Sequence, residues 1–130
     1  MRYISADDIV FIHDVIIVET GGALGVREPG LLLSIAEKPK TRFGTYDLYP
    51  DIYVKAASLY ESICNYHVFI DGNKRTAVLT MYRFLFLNGC ILVADNKTIE
   101  EYTLYIVNNK PDITEIAKWI KKHSRKAKNI

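Results

Sequence analysis

Apolar residues recur along this chain at spacings of three and four, a period that belongs to helices, and the stretches between them are short and rich in glycine, proline or asparagine. Ser5, with Asp8 three residues on, forms a variant capping box before the apolar segment Ile9–Val18, which stops at Gly21-Gly22, a pair suited to the left-handed exit of a helix. The stretch "GGALGVREPG" is a loop by its four glycines. Pro29 opens a short helix through Glu37, and Pro39 closes it. Residues 38–49, "KPKTRFGTYDLY", read as irregular. Pro50 suits the first turn of the next helix, which runs to about Tyr66 with Ile52, Ala56, Leu59, Tyr60 and Ile63 at helical spacing. A further helix starts near Asn73 and ends at Asn88-Gly89. Its residues Ala77, Leu79, Met81, Phe84, Leu85 and Leu87 are apolar nearly all round, which predicts a central, buried helix. Two more helices are predicted, Lys97–Val107 after the cap Asp95, and Ile113–His123 after Asp112 with Glu115 at the capping-box position. The run "CILVA" has the character of a short strand without an obvious partner. The pattern predicts an all-α fold of about six helices in a single domain, residues 1–130, with no repeat and no low-complexity linker.

Composition adds little to this and excludes some classes. With 49% hydrophobic and 25% charged residues the chain has a globular balance and enough length for a core without metal or disulfide staples. A net charge of +2 argues for neither nucleic acid nor membrane. Two cysteines, Cys64 and Cys90, make no disulfide framework and point to a reduced, cytoplasmic setting. Acids interrupt any signal-peptide core in "MRYISADDIVFIHD", and "YRFLFLNGCILVA" carries Arg83, Asn88 and Gly89, so no membrane association is expected.

The chemistry gathers at "HVFIDGNKRTA", residues 67–77, between two core helices. The first amides of a helix lack intrahelical partners and carry the positive end of the helix dipole, which together suit an anion such as phosphate. Gly72 permits close backbone approach or a positive φ, and Asn73 is placed to cap the helix or to donate its amide. Lys74 and Arg75 are cations in a first turn whose dipole favours acids, and that mismatch is relieved when an anion binds. Asp71 is either an ion-pair partner for them or a ligand for Mg²⁺, which takes one or two carboxylates together with phosphate oxygens. His67 brings an imidazole, the side chain used most often to take a proton from a hydroxyl. A phosphate cradle, a metal ligand and a base are the parts of phosphoryl or nucleotidyl transfer. The plainer alternatives are a structural histidine and a solvated Lys-Arg pair.

The same residues resemble the Fic/Doc motif His-x-Phe-x-(Asp/Glu)-(Gly/Ala)-Asn-x-Arg. All its fixed positions are met, by His67, Phe69, Asp71, Gly72, Asn73 and Arg75. The form Asn-Lys-Arg-Thr-Ala is similar to the Doc, or death-on-curing, branch, as are "GGALGVREPGLLLSIAEKP" upstream and "FLFLNG" downstream. The resemblance implies a compact helical fold with the active loop between two central helices. It implies His67 as general base, Asp71 as Mg²⁺ ligand or base-orienting group, Gly72, Asn73, Lys74 and Arg75 on the phosphates of ATP or another nucleoside triphosphate, and Phe69 packing the loop. Fic nucleotidyl transferases have glycine where Lys74 stands and a second arginine where Val78 stands. In the Doc branch those two departures go with transfer of the γ-phosphate to a hydroxyl of elongation factor Tu and with growth arrest. Gly72 remains a Fic-like feature, because Doc patterns often have alanine there. The resemblance further implies a Phd-like antitoxin whose C-terminal segment folds onto the toxin, with DNA reached only through that antitoxin. The inhibitory helix motif of many Fic proteins has no match in the chain. The alternatives are a Fic-type AMP-transferase and an inert module that binds antitoxin or DNA.

By analogy with the family, residues 38–49 form either a flap that holds the target segment, with Lys40, Arg42 and Phe43 as candidates, or a plain surface loop. The Cys-x-x-His spacing of Cys64 and His67 lacks the second ligand pair a zinc site needs. His13 reads as a core or surface residue with nothing polar beside it, and Cys90, Tyr102 and Tyr105 read as core filling. The basic C-terminus "KWIKKHSRKAKNI" suits either contact with nucleic acid or an acidic antitoxin, or simple dipole pairing followed by a frayed tail.

Overall fold

The computed structural model describes residues 1–127. Helix α1 spans Ala6–Thr20. The Ser5 hydroxyl accepts from the Asp8 N–H while the Asp8 carboxylate accepts from the Ser5 N–H, so the capping box is complete. Gly21 ends the helix at φ 85 with its N–H on the Ile17 carbonyl. Helix α2, Pro29–Glu37, begins at its proline as the pattern predicts. It ends at Glu37, also as predicted, and a 3-10 turn, Lys38–Lys40, follows, with Pro39 in its first turn, where an N–H would have no partner within the turn. The segment read as irregular then forms a small hairpin, β1 (Arg42–Phe43) and β2 (Tyr46–Asp47), antiparallel and exposed.

Helices α3 (Ile52–Asn65) and α4 (Asn73–Leu87) form the centre of the molecule. The N-cap of α3 is Asp51, whose carboxylate accepts from the Tyr53 and Val54 N–H groups; Pro50 stands one residue before the cap rather than in the first turn. Ala56, Ala57, Ser58, Leu59, Tyr60, Ile63 and Cys64 are all buried, and α3 packs on α4 and on α6. The small residues among them let neighbouring backbones come close. Each fully buried large aliphatic side chain here stabilises the fold by about 1.5–3 kcal/mol relative to exposure.

Helices α5 (Asn96–Asn109) and α6 (Ile113–Lys122) start at Asp95 and Asp112, whose carboxylates accept from the Thr98 and Glu115 N–H groups. The Tyr102 ring stacks on Trp119 at 4.2 Å, and His123 covers the other side at 4.3 Å, which joins α5 to α6 through half-buried aromatics. Cys90 is buried as expected, but Tyr105 is exposed and donates its hydroxyl to Glu115 instead of filling the core. The strand β3, Cys90–Leu92, does have a partner. It pairs antiparallel with β4, Ser124–Lys126, in the register Cys90↔Lys126 and Leu92↔Ser124. The basic tail is therefore folded back through Lys126, while residues 128–130 of it lie outside the described residues. This long-range pairing could not be read from local pattern.

Helix α4 is central but not buried all round. Thr76, Ala77, Thr80, Met81, Phe84 and Leu85 are buried, whereas Leu79, Tyr82 and Phe86 face outward. Phe11, Val15 and Val18 on α1 are exposed as well. Between the two helices runs a groove of about 630 Å³ lined by Tyr3, Phe11, Ile12, Val15, Leu79, Tyr82 and Leu87, with Arg2, Asp8 and Arg83 among its polar residues. Among the described residues no helix is long and apolar enough to cross a membrane.

Candidate active site

The loop joining α3 to α4 alternates between outward and inward residues. His67 has φ 49, a left-handed conformation uncommon for a residue other than glycine, and its side chain is exposed. Such backbone persists where the surroundings enforce it, often at functional sites. Here the enforcement comes from Val68 and Phe69, both fully buried, which drive the chain inward directly after His67. Phe69 stacks face to face on the His13 ring of α1 at 3.9 Å.

Asn73 closes the loop. Its Oδ1 accepts from the Phe69 N–H at 2.9 Å and its Nδ2 donates to the Phe69 carbonyl at 2.9 Å. Its amide thus grips its own loop and does not cap α4. The cap is Gly72, at φ 77 with no side chain to satisfy the helix-start amides. The left-handed turn favours glycine, and a Cβ there would lie 3.1 Å from Ile17 Cδ1, so α1 approaches closely at this point.

The glycine loop between α1 and α2 is a strap over this turn, a role the local pattern does not reveal. Val26 forms an antiparallel bridge with Phe69, Arg27 N–H donates to the Val68 carbonyl at 2.8 Å, and Ile70 N–H donates to the Gly25 carbonyl at 3.2 Å. Gly25 has φ 131, a backbone conformation that side chains rarely adopt, which explains that glycine. The Asp71 carboxylate is held by the same strap, its Oδ2 accepting from the Ala23 N–H at 2.8 Å. Asp71 makes no ion pair with Lys74 or Arg75, and both cations are exposed and unpaired among the described residues. Burial pushes the Cys64 thiol up to about 12, against the pull of the nearby Lys74 amine. Cys64 is a free, neutral core residue.

His13 is the residue the sequence reading passed over. It is 1% exposed, its Nε2 lies 2.7 Å from the Asp71 carbonyl, and its Nδ1 lies 3.3 Å from the Asp14 carboxylate. The available signal was a polar residue on the same buried stripe as Ile9, Ile16 and Ile17. The flap candidates are partly engaged: Lys40 pairs with Glu37 at 3.2 Å and Arg42 with Asp47 at 3.2 Å, while Phe43 stands 68% exposed at the hairpin. Lys55, buried in α3, donates to the Pro39 carbonyl at 2.7 Å and ties the base of that hairpin to the core. A cavity of about 400 Å³, lined by Leu31, Ile35, Lys38, Thr41 and Tyr66 among others, lies between the hairpin base and the residue preceding His67.

The strap, the clamped loop and the helix-start turn form one unit across α1, α3 and α4. Residues 3–85 match the Fic/DOC family, and the chain belongs to that family. It lies on the Doc side of it. Toxin Doc of Mycolicibacterium smegmatis is 43% identical over 75 residues, and the chain spans 58% of that relative's length. The protein named Protein kinase doc of Escherichia phage P1 is 28% identical over 117 residues, 90% of this chain and 91% of that one.

Proposed function

We propose that the protein is a Doc-type toxin that transfers the γ-phosphate of ATP, or of another nucleoside triphosphate, to a hydroxyl of a protein target in the cytoplasm. The observation that carries this reading is the unpaired Lys74–Arg75 pair at an uncapped helix start beside the exposed His67. Two cations and several free amides at the positive end of a helix are unfavourable alone and are offset by a polyphosphate. His67 accepts the proton as the target oxygen bonds to the γ-phosphorus. The bond from that phosphorus to the bridging oxygen breaks, and the nucleoside diphosphate leaves. The hairpin 42–47 supplies an exposed edge against which the target segment lies extended. Elongation factor Tu is the target that the family resemblance suggests.

Asp71 fits a Mg²⁺ ion that arrives with the nucleotide. One carboxylate oxygen is held by the Ala23 N–H and the other has no hydrogen-bond donor among the described residues. When bound, Mg²⁺ supplies charge neutralisation on the phosphates. The reading is tested by incubating the chain with a cell extract and ATP labelled at the α or the γ position. Label from the γ position alone on a protein is the expected result. Label from the α position makes the enzyme an AMP-transferase instead.

The inhibitor in this reading is an antitoxin, the partner that the name Toxin Doc implies for that relative, and the family resemblance suggests a Phd-like one. We place its docking segment, an amphipathic helix, in the apolar groove between α1 and α4, where Phe11, Val15, Leu79 and Tyr82 offer an unsatisfied face. Phe11→Glu puts a charge into that groove without touching the loop. It is expected to weaken antitoxin binding by about 2 kcal/mol or more, roughly thirty-fold, while leaving phosphoryl transfer intact. Equal affinity of the variant and the parent chain, read by calorimetry, moves the antitoxin to another surface.

A further inference from the structure

His13 lies in α1, outside the motif, yet its one imidazole contacts Phe69 and Asp71 of the loop and lies beside Gly72. Its ring stacks on Phe69 with an interplanar angle of 6°. Its Nε2 lies 2.7 Å from the Asp71 carbonyl. A Cβ built on Gly72 would lie 3.7 Å from both its Cδ2 and its Nε2. The ring is almost wholly buried, so these contacts are not exchanged for water. A carbonyl only accepts hydrogen bonds, so Nε2 carries the hydrogen and donates it.

The peptide between Asp71 and Gly72 is planar and trans, so its C=O and N–H point in opposite directions. Pinning the carbonyl toward α1 therefore aims the Gly72 N–H away from α1. In chain order that N–H stands directly before the first free amides of α4. We infer that His13 is a positioning residue that sets the Asp71–Gly72 peptide so that the Gly72 N–H joins the anion cradle at the start of α4. The inference rests on the phosphate-binding reading of the loop. It adds that the cradle is built partly from α1, through a hydrogen bond to the loop backbone. It also gives a reason for a histidine on an otherwise apolar helix stripe, which packing alone does not.

Two substitutions separate the hydrogen bond from the stack. His13→Phe keeps a ring on Phe69 and removes the donor. His13→Gln loses the ring and retains an N–H at similar reach. The first readout needs no ligand: the carbonyl-carbon shift of Asp71 and the amide shift of Gly72 by NMR. Both are expected to move in His13→Phe and to return toward wild type in His13→Gln. The second readout is calorimetry with ATP and Mg²⁺. His13→Phe is expected to bind about ten-fold more weakly, the size one buried hydrogen bond sets, and His13→Gln within about three-fold of wild type.

Wild-type binding with no loss in a folded His13→Phe chain overturns the role of His13 and leaves the phosphate reading standing. No binding by the wild-type chain overturns both. If His13→Phe does not fold, His13→Gln decides alone. A wild-type Asp71 shift together with near-wild-type affinity supports the donor role, and loss of both removes it.

Discussion

Replacing His67 with alanine is expected to lower the rate of phosphoryl transfer by about 10²–10⁴-fold while leaving nucleotide affinity within about two-fold of the parent chain. The expectation follows from where the loop puts the residue. The left-handed backbone at His67 turns an exposed imidazole out of a loop whose next two residues are fully buried. The imidazole makes no hydrogen bond to the rest of the fold among the described residues, so removing it leaves no buried group without a partner. In the proposed reading the phosphates rest on other groups, the α4 amides with Lys74 and Arg75. A base acts only in the transition state, so its loss falls on the chemical step and not on ground-state binding. The check is single-turnover transfer from γ-labelled ATP beside a calorimetric titration of the same preparation. A rate equal to wild type removes His67 from the reaction. A loss of affinity matching the loss of rate makes it a binding residue instead.

Lys74 and Arg75 illustrate how much of such a site is written locally. Their place in a first turn conflicts with the helix dipole, and that conflict is visible without coordinates. Gly72, Asn73 and the ends of α4 were legible for the same reason, since caps and stops depend on a few adjacent residues. The role of Asn73 was not. Its side chain has two plausible partners locally, the helix amides and the loop backbone, and the choice of Phe69 depends on how that buried ring draws the loop inward. The pairing of β3 with the C-terminal strand, the strap across the loop and the contact from His13 to Asp71 all join residues far apart in sequence. Periodicity carries no information about such contacts. The exposed face of α4 escaped for a related reason. Hydrophobicity all round a helix signals burial, but it also signals a surface meant for a partner, and only the arrangement of α1 distinguishes the two.

The largest stability effect is expected at Phe69, because the loop is anchored at that residue from three sides. It is fully buried, stacked on His13, bridged to Val26 and clamped through its backbone by Asn73. Phe69→Ala deletes the ring and leaves a cavity that the neighbouring helices cannot close without moving α1 toward α4. Such deletions cost about 3–5 kcal/mol, and the lost aromatic pair accounts for about 0.5–1.5 kcal/mol of the interaction beyond area alone. Set against a total stability of about 5–15 kcal/mol for a domain of this kind, the loss is at least about a fifth of what holds the chain folded. Urea unfolding should show a lower midpoint with an unchanged slope, because the denatured chain is barely altered. The backbone bonds from Asn73 and the strap survive only if the loop keeps its inward course, so ATP affinity is expected to fall in Phe69→Ala even at urea concentrations where the variant remains folded. A stability loss below about 1 kcal/mol would mean that the ring is not the anchor of the loop, since a fully buried aromatic in a close-packed interior cannot be removed that gently.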